Sequence, residues 1–181
     1  MVVFDAPMLM LYLDESLEPP KDKDTGEPIP KARERVEYLV QRLSDDNQQV
    51  VIPTPALSEV LVHAGQAQAE WLRHLNSRSC FRIAGFDQRA AIEAAIAIRE
   101  AIAAGDKKGG NSDANWQKCK IDRQIVAIAK VEGAGTIYTT DKHVVNYGEQ
   151  AGLKVYGIVD LPEPPSDPQT SLSFPPRDVD L

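Results

Sequence analysis

Five short apolar, β-prone runs are spaced along this chain, at residues 2–4, 50–52, 80–84, 136–139 and 154–158, and the stretches between them carry apolar residues at helical intervals. That alternation is the strongest constraint on the fold. Strands joined through helices run parallel, because a parallel pair needs a crossover long enough to return the chain to the same end of the sheet. The expectation is an α/β fold with a central, mostly parallel sheet and helices on both faces. The clearest helix lies over 31–44, where Ala32, Val36, Leu39, Val40 and Leu43 form one stripe. Further helices are expected at 7–13, around 54–64 with Thr54 as a capping hydroxyl, over 66–76, over 88–104, from about Ile121 to Gly133, and after Asp141. The 88–104 segment, rich in Ala and Ile, reads as a largely buried helix.

The domain plan follows from where this pattern stops. Residues 1–161 are expected to form one domain, and the segment 162–181, with six prolines in twenty residues, is expected to be a disordered tail. The run EPPKDKDTGEPIP over 18–30 is expected to be a mobile loop, and the polar segment 105–118 a second loop whose Gly109-Gly110 pair lacks the residues of a phosphate-binding motif. Cys80 and Cys119 match no metal or redox spacing and are read as reduced thiols. No basic leader precedes the apolar opening, and no apolar run approaches the ~18 residues of a membrane span, so a cytoplasmic protein is expected.

Ligands of a parallel sheet bind at the carboxyl ends of its strands, near the point where strand order reverses. Four acids map to that edge. Asp5 interrupts an apolar strand-to-helix run, Asp141 follows the fourth run, and Glu59 and Asp122 fall early in helices entered from the same side. Carboxylates gathered this closely repel one another unless protons or a cation compensate, and hard oxygen ligands suit Mg²⁺ or Mn²⁺. Such a site would serve hydrolysis of a phosphodiester. Each acid also has a plainer reading: Asp141 as a helix cap, Asp122 in a first turn favoured by the helix dipole, Glu59 as a solvated helix residue. Lys118, Lys120, Arg123, Lys142 and His143 flank the same edge and are candidates to meet phosphate, Thr140 is a candidate hydroxyl, and Trp116 is expected to dock on the domain surface. The formal net charge of −7 speaks against broad nucleic-acid affinity, which comes from basic clusters.

The strings VVFDAPML, IPTPALSEVLV and KIDRQIVAIAKVEGAGTIYTTDKHV resemble, in this order, the segments that carry the acidic quartet of PIN-domain ribonucleases of the VapC-like kind. The resemblance spans most of residues 1–160 and implies a PIN-like α/β/α fold. It further implies Mg²⁺ or Mn²⁺ held by Asp5, Glu59, Asp122 and Asp141, and endonuclease activity on RNA. Many bacterial members are the toxins of toxin–antitoxin pairs, so the resemblance implies an antitoxin protein and a second copy of the chain as partners. One departure stands out: the family usually follows its first Asp with Ser or Thr and then Asn, whereas this chain has Ala6 and Pro7. That departure and the acidic net charge keep open a second reading, a PIN-like domain without catalysis that binds RNA or protein. A DNA nuclease of related fold would require more carboxylates than the four seen here.

Overall fold

The computed structural model describes residues 1–108 and 115–165. Its centre is a five-stranded sheet: β1 (Val2–Phe4), β2 (Val50–Pro53), β3 (Phe81–Ala84), β4 (Thr136–Tyr138) and β5 (Lys154–Tyr156). The strand order is β3-β2-β1-β4-β5 and every neighbouring pair is parallel. In register, Val3 stands beside Val51 on one side and Ile137 on the other. β1 and β2 are buried throughout, as central strands covered on both faces must be.

The helices are α1 (Ala6–Leu13), α2 (Ala32–Asp45), α3 (Thr54–Ala64), α4 (Gln68–Ser77), α5 (Gln88–Ala103), α6 (Trp116–Val131) and α7 (Lys142–Gln150). Right-handed crossovers from β1 to β2 to β3 place α1–α4 on one face, and the return through β4 to β5 places α5–α7 on the other. The packing agrees, with α1 on α2 and α3, and with α6 between α5 and α7. In α2 the five residues of the expected stripe are the five that are buried. Reversal of strand order between β2-β1 and β4-β5 opens the sheet at the carboxyl ends of β1 and β4.

Several local expectations need correction. Thr54 does not cap α3: Pro53 holds that position without a side-chain bond, and Thr54 is already helical. α6 starts at Trp116 rather than near Ile121, because Asn115 accepts a hydrogen bond from the Gln117 N–H and nucleates the helix earlier. Helix α5 is not largely buried. It packs through Ala90 and Ala94, while Ile92 (55% exposed) and Ile102 (54% exposed) face outward, since the small-residue side is the one that fits against α6.

The 18–30 segment is irregular but has contacts of its own. Lys21 and Pro28 form an antiparallel bridge, Asp22 accepts bonds from the N–H groups of Asp24 and Thr25, Ile29 is buried, and Lys23 Nζ reaches the Thr140 carbonyl at 2.8 Å. These contacts tie one isoleucine and one lysine of the segment to the body of the domain. Past the last strand, Arg35 binds the Leu161 carbonyl and the Glu163 carboxylate, so the chain stays attached through the start of the proline-rich stretch. Residues 166–181 and the Gly109-Gly110 pair lie outside the described residues. Cys80 and Cys119 are both free and buried, and among the described residues no helix is long and apolar enough to cross a membrane.

Candidate active site

Asp5 is the last residue before α1, and its position has a simple local cause. It is extended, and its Oδ1 accepts the Ala6 N–H at 2.7 Å, so one carboxylate oxygen caps the helix that Pro7 helps to start. The second oxygen, Oδ2, accepts the hydroxyl of Thr139 at 2.7 Å. Thr139 itself is buried, and its Oγ1 also accepts the Asp141 N–H at 3.0 Å. A single hydroxyl thus ties the end of β1 to the start of α7. This residue was missed: the sequence pointed to Thr140, whereas the pleat at the end of β4 directs the side chain of Thr139 at Asp5. The signal was the Thr-Thr-Asp string, which does not reveal which threonine turns inward. Thr139 also answers the Ala6-Pro7 departure, because it supplies from β4 the polar group that orients the first carboxylate.

Asp122 lies in the second turn of α6, not the first, which removes the helix-dipole explanation for it. It is almost fully buried, and its Oδ2 is sealed from solvent without a hydrogen-bond partner. Burial pushes its pKa up to about 7, with the charges of Asp141, Asp5 and Glu59 adding to the rise and Lys118 opposing it. Asp5 is pushed up to about 6, again by burial first; its bonds from Thr139 and Ala6 pull the other way, and the fields of Asp141 and Glu59 raise it. Asp141 behaves differently. Burial raises it, but the hydrogen bond from Lys118 and the cap bond from the His143 N–H at 2.8 Å outweigh that, and it sits below the ordinary carboxylate range. Its capping role and its place in the acid group therefore coexist.

Glu59 is exposed on α3 and makes none of the described hydrogen bonds or ion pairs, yet its charge is felt by Asp5, Asp122 and Lys118. The fold thus brings three buried or half-buried aspartates together and leaves the glutamate at the rim. Lys118 Nζ stands among them, 2.5 Å from Asp141 Oδ2 and 3.9 Å from Asp122 Oδ1. Among the described residues, no three acidic, His or Cys side chains converge as a ready cation cage. The donor set nevertheless suits a hard divalent cation: all oxygen, two carboxyls with raised pKa, and an orphaned buried oxygen on Asp122.

Of the other flanking cations, Arg123 is buried and lies 4.0 Å above the Tyr147 ring. Trp116 packs partly against the core under Lys107, as expected of a docked indole. Lys142 is exposed, and His143 lies beside Tyr147. A cavity of about 400 Å³ lies between the 18–30 segment and the end of β4; Thr139 and Thr140 line it with Lys21, Lys23, Asp22, Asp24 and Asp160, while none of the four candidate acids does.

No family model matches the sequence, and no curated protein does. The fold has solved counterparts. A chain from FitAB bound to an IR36 DNA fragment aligns with a TM-score of 0.57 at 18% identity, covering 90% of this chain and 98% of that one. A chain from VapBC2 of Rickettsia felis, bound to a DNA fragment from its promoter, aligns with a TM-score of 0.56 at 13% identity, covering 87% and 98%. A chain from DNA-bound VapBC of Salmonella typhimurium gives 0.52 at 14% identity, covering 87% and 97%. The chain thus has the PIN-like α/β/α fold expected from its sequence, and shares that fold with these FitAB and VapBC chains.

Proposed function

We propose that the protein is a metal-dependent endoribonuclease whose site is Asp5, Asp122 and Asp141 with Glu59 at the rim. The observation that carries this reading is that Asp5, Asp122 and Asp141 lie within one another's electrostatic reach, Asp5 and Asp141 linked through the Thr139 hydroxyl and Asp122 and Asp141 through the Lys118 ammonium. Two are held in a buried setting that raises their pKa, and one of these keeps an unpartnered oxygen. A fold optimised for stability alone would not retain such a group, because burying unpaired carboxylates is costly. Asp5, Asp122 and Asp141 would hold Mg²⁺ or Mn²⁺, which supplies a water of lowered pKa and offsets charge on the phosphate oxygens. Thr139 fixes the Asp5 carboxylate through Oδ2 and, by the same hydroxyl, the backbone at Asp141. Glu59, exposed on α3, would orient a water or accept its proton.

The reading extends to partners. The solved counterparts are members of two-component VapBC and FitAB complexes, which supports a role as the toxin of a toxin–antitoxin pair, with an antitoxin and a second copy of the chain as binding partners. The test is cleavage of a panel of structured and single-stranded RNAs with Mg²⁺, with Mn²⁺ and with EDTA, comparing wild type with Asp5→Asn and Asp122→Asn. Cleavage that requires metal and is lost in both variants is the expected result. No cleavage by wild type, with no metal-induced rise in stability, would favour a non-catalytic binding domain instead.

A further inference from the structure

Lys118 is the one basic side chain that the described structure inserts among the acids. It projects from the first turn of α6, four residues before Asp122, so the start of that helix at Trp116 aims both side chains to one side. Its ammonium is hydrogen-bonded to Asp141 Oδ2 at 2.5 Å, and lies 3.9 Å from Asp122 Oδ1, which is within ion-pair reach but too long for a hydrogen bond. Asp5 it does not touch: that carboxylate is occupied by the Ala6 N–H and the Thr139 hydroxyl. One positive charge thus covers the Asp122–Asp141 half of the site and leaves Asp122 Oδ2 unpartnered.

We propose that Lys118 is a built-in counter-ion standing where the divalent cation would bind, so that metal enters only as its ammonium leaves. This rests on the reading of the acids as a metal site. The geometry makes the exchange feasible. The Lys118 side chain is 48% exposed, so its flexible stem can carry the charge out to solvent without disturbing the core. An ammonium and a divalent ion at Asp141 Oδ2 would repel each other at contact distance and so compete for that oxygen. The lysine therefore lowers the affinity of the site for metal while keeping the aspartates compensated in its absence. It acts as a positioning residue that sets the cation concentration at which the site fills.

The test is calorimetric titration of Mn²⁺ into the full chain, stripped with EDTA and held at constant pH, for wild type, Lys118→Met and Lys118→Arg. Lys118→Met is expected to bind Mn²⁺ at least ~10-fold more tightly than wild type, about 1.4 kcal/mol, whereas Lys118→Arg, which keeps the charge, stays within ~3-fold of wild type. A merely structural lysine would not produce a gain in affinity on removal, and metal-free melting curves establish that each variant is folded. Equal or weaker binding by a folded Lys118→Met overturns the proposal while leaving the metal reading intact. Absence of Mn²⁺ binding in all three proteins overturns both.

Discussion

Acidification should stabilise the metal-free protein, which is the reverse of the usual carboxylate effect. Asp5 in the folded chain titrates at about 6 against an ordinary 3.8, because burial disfavours its charge. A group raised on folding favours the folded state when protonated, so its contribution is greatest below the unfolded pKa and is lost as pH rises through the folded one. At roughly 1.36 kcal/mol for each pH unit, ionising Asp5 costs the fold about 3 kcal/mol by neutral pH. Asp122, raised to about 7, has the same sign, with the Lys118 charge offsetting part of it. His74, lowered by burial, opposes them on acidification, while Asp14, Asp87 and Asp141 are lowered and lose their contribution only below the ordinary carboxylate range. Between pH 7.5 and pH 5 the aspartates prevail, with a net gain of about 2 kcal/mol, or roughly 4–8 °C in Tm. Differential scanning calorimetry in EDTA measures it. Asp122→Asn should flatten the profile and raise Tm at pH 7.5. A wild-type Tm that is level or falls from pH 7.5 to pH 5 would refute the argument that the acids are held together against their own repulsion.

Removing the hydroxyl at Thr139 should cost more than a surface bond. Thr139→Val deletes a buried charge-assisted hydrogen bond to Asp5 and the acceptor for the Asp141 N–H, so about 2 kcal/mol of stability should be lost in denaturant melts, and metal-dependent RNA cleavage should fall at least ~10-fold. Thr140→Val, one residue away, should retain cleavage within ~3-fold in the same assay. At Gly148, in α7, an added Cβ would meet Val155 Cγ2 at 2.9 Å. Because valine is stiff at χ1, Gly148→Ala should lower stability by ~1–3 kcal/mol, and an unchanged urea midpoint would contradict the packing of α7 on β5. On α5, Ile92→Gln and Ile102→Gln should stay within about 0.5 kcal/mol of wild type, since both side chains face outward.

What the sequence made legible depended on whether a signal was local. The stripe of α2 and the apolar runs of β1 and β2 follow from side-chain period and burial, and the structure reproduces them residue by residue. Asp5 was visible because a carboxylate interrupting an apolar run has no local reason to be there. The start of α6 was not, because Asn115 sits in a polar string that reads as loop until its side chain is seen capping Gln117. That five-residue difference also hid the partnership of Lys118 with Asp122, which exists only if both lie in one helix. Burial of α5 was overestimated because an Ala-rich and Ile-rich segment does not say which of its faces a neighbour will cover. Thr139 needed the direction of a strand-end side chain, a tertiary fact.

The most direct test of the central claim is an anomalous difference map from crystals of the protein soaked in MnCl₂. The account predicts a peak bonded to carboxylate oxygens of Asp122 and Asp141 and adjoining Asp5, at roughly 2.2 Å from its ligands, with the Lys118 ammonium moved out of its place beside Asp141. Full occupancy of Mn²⁺ elsewhere, with Lys118 still bound to Asp141 and no density among the aspartates, would contradict it.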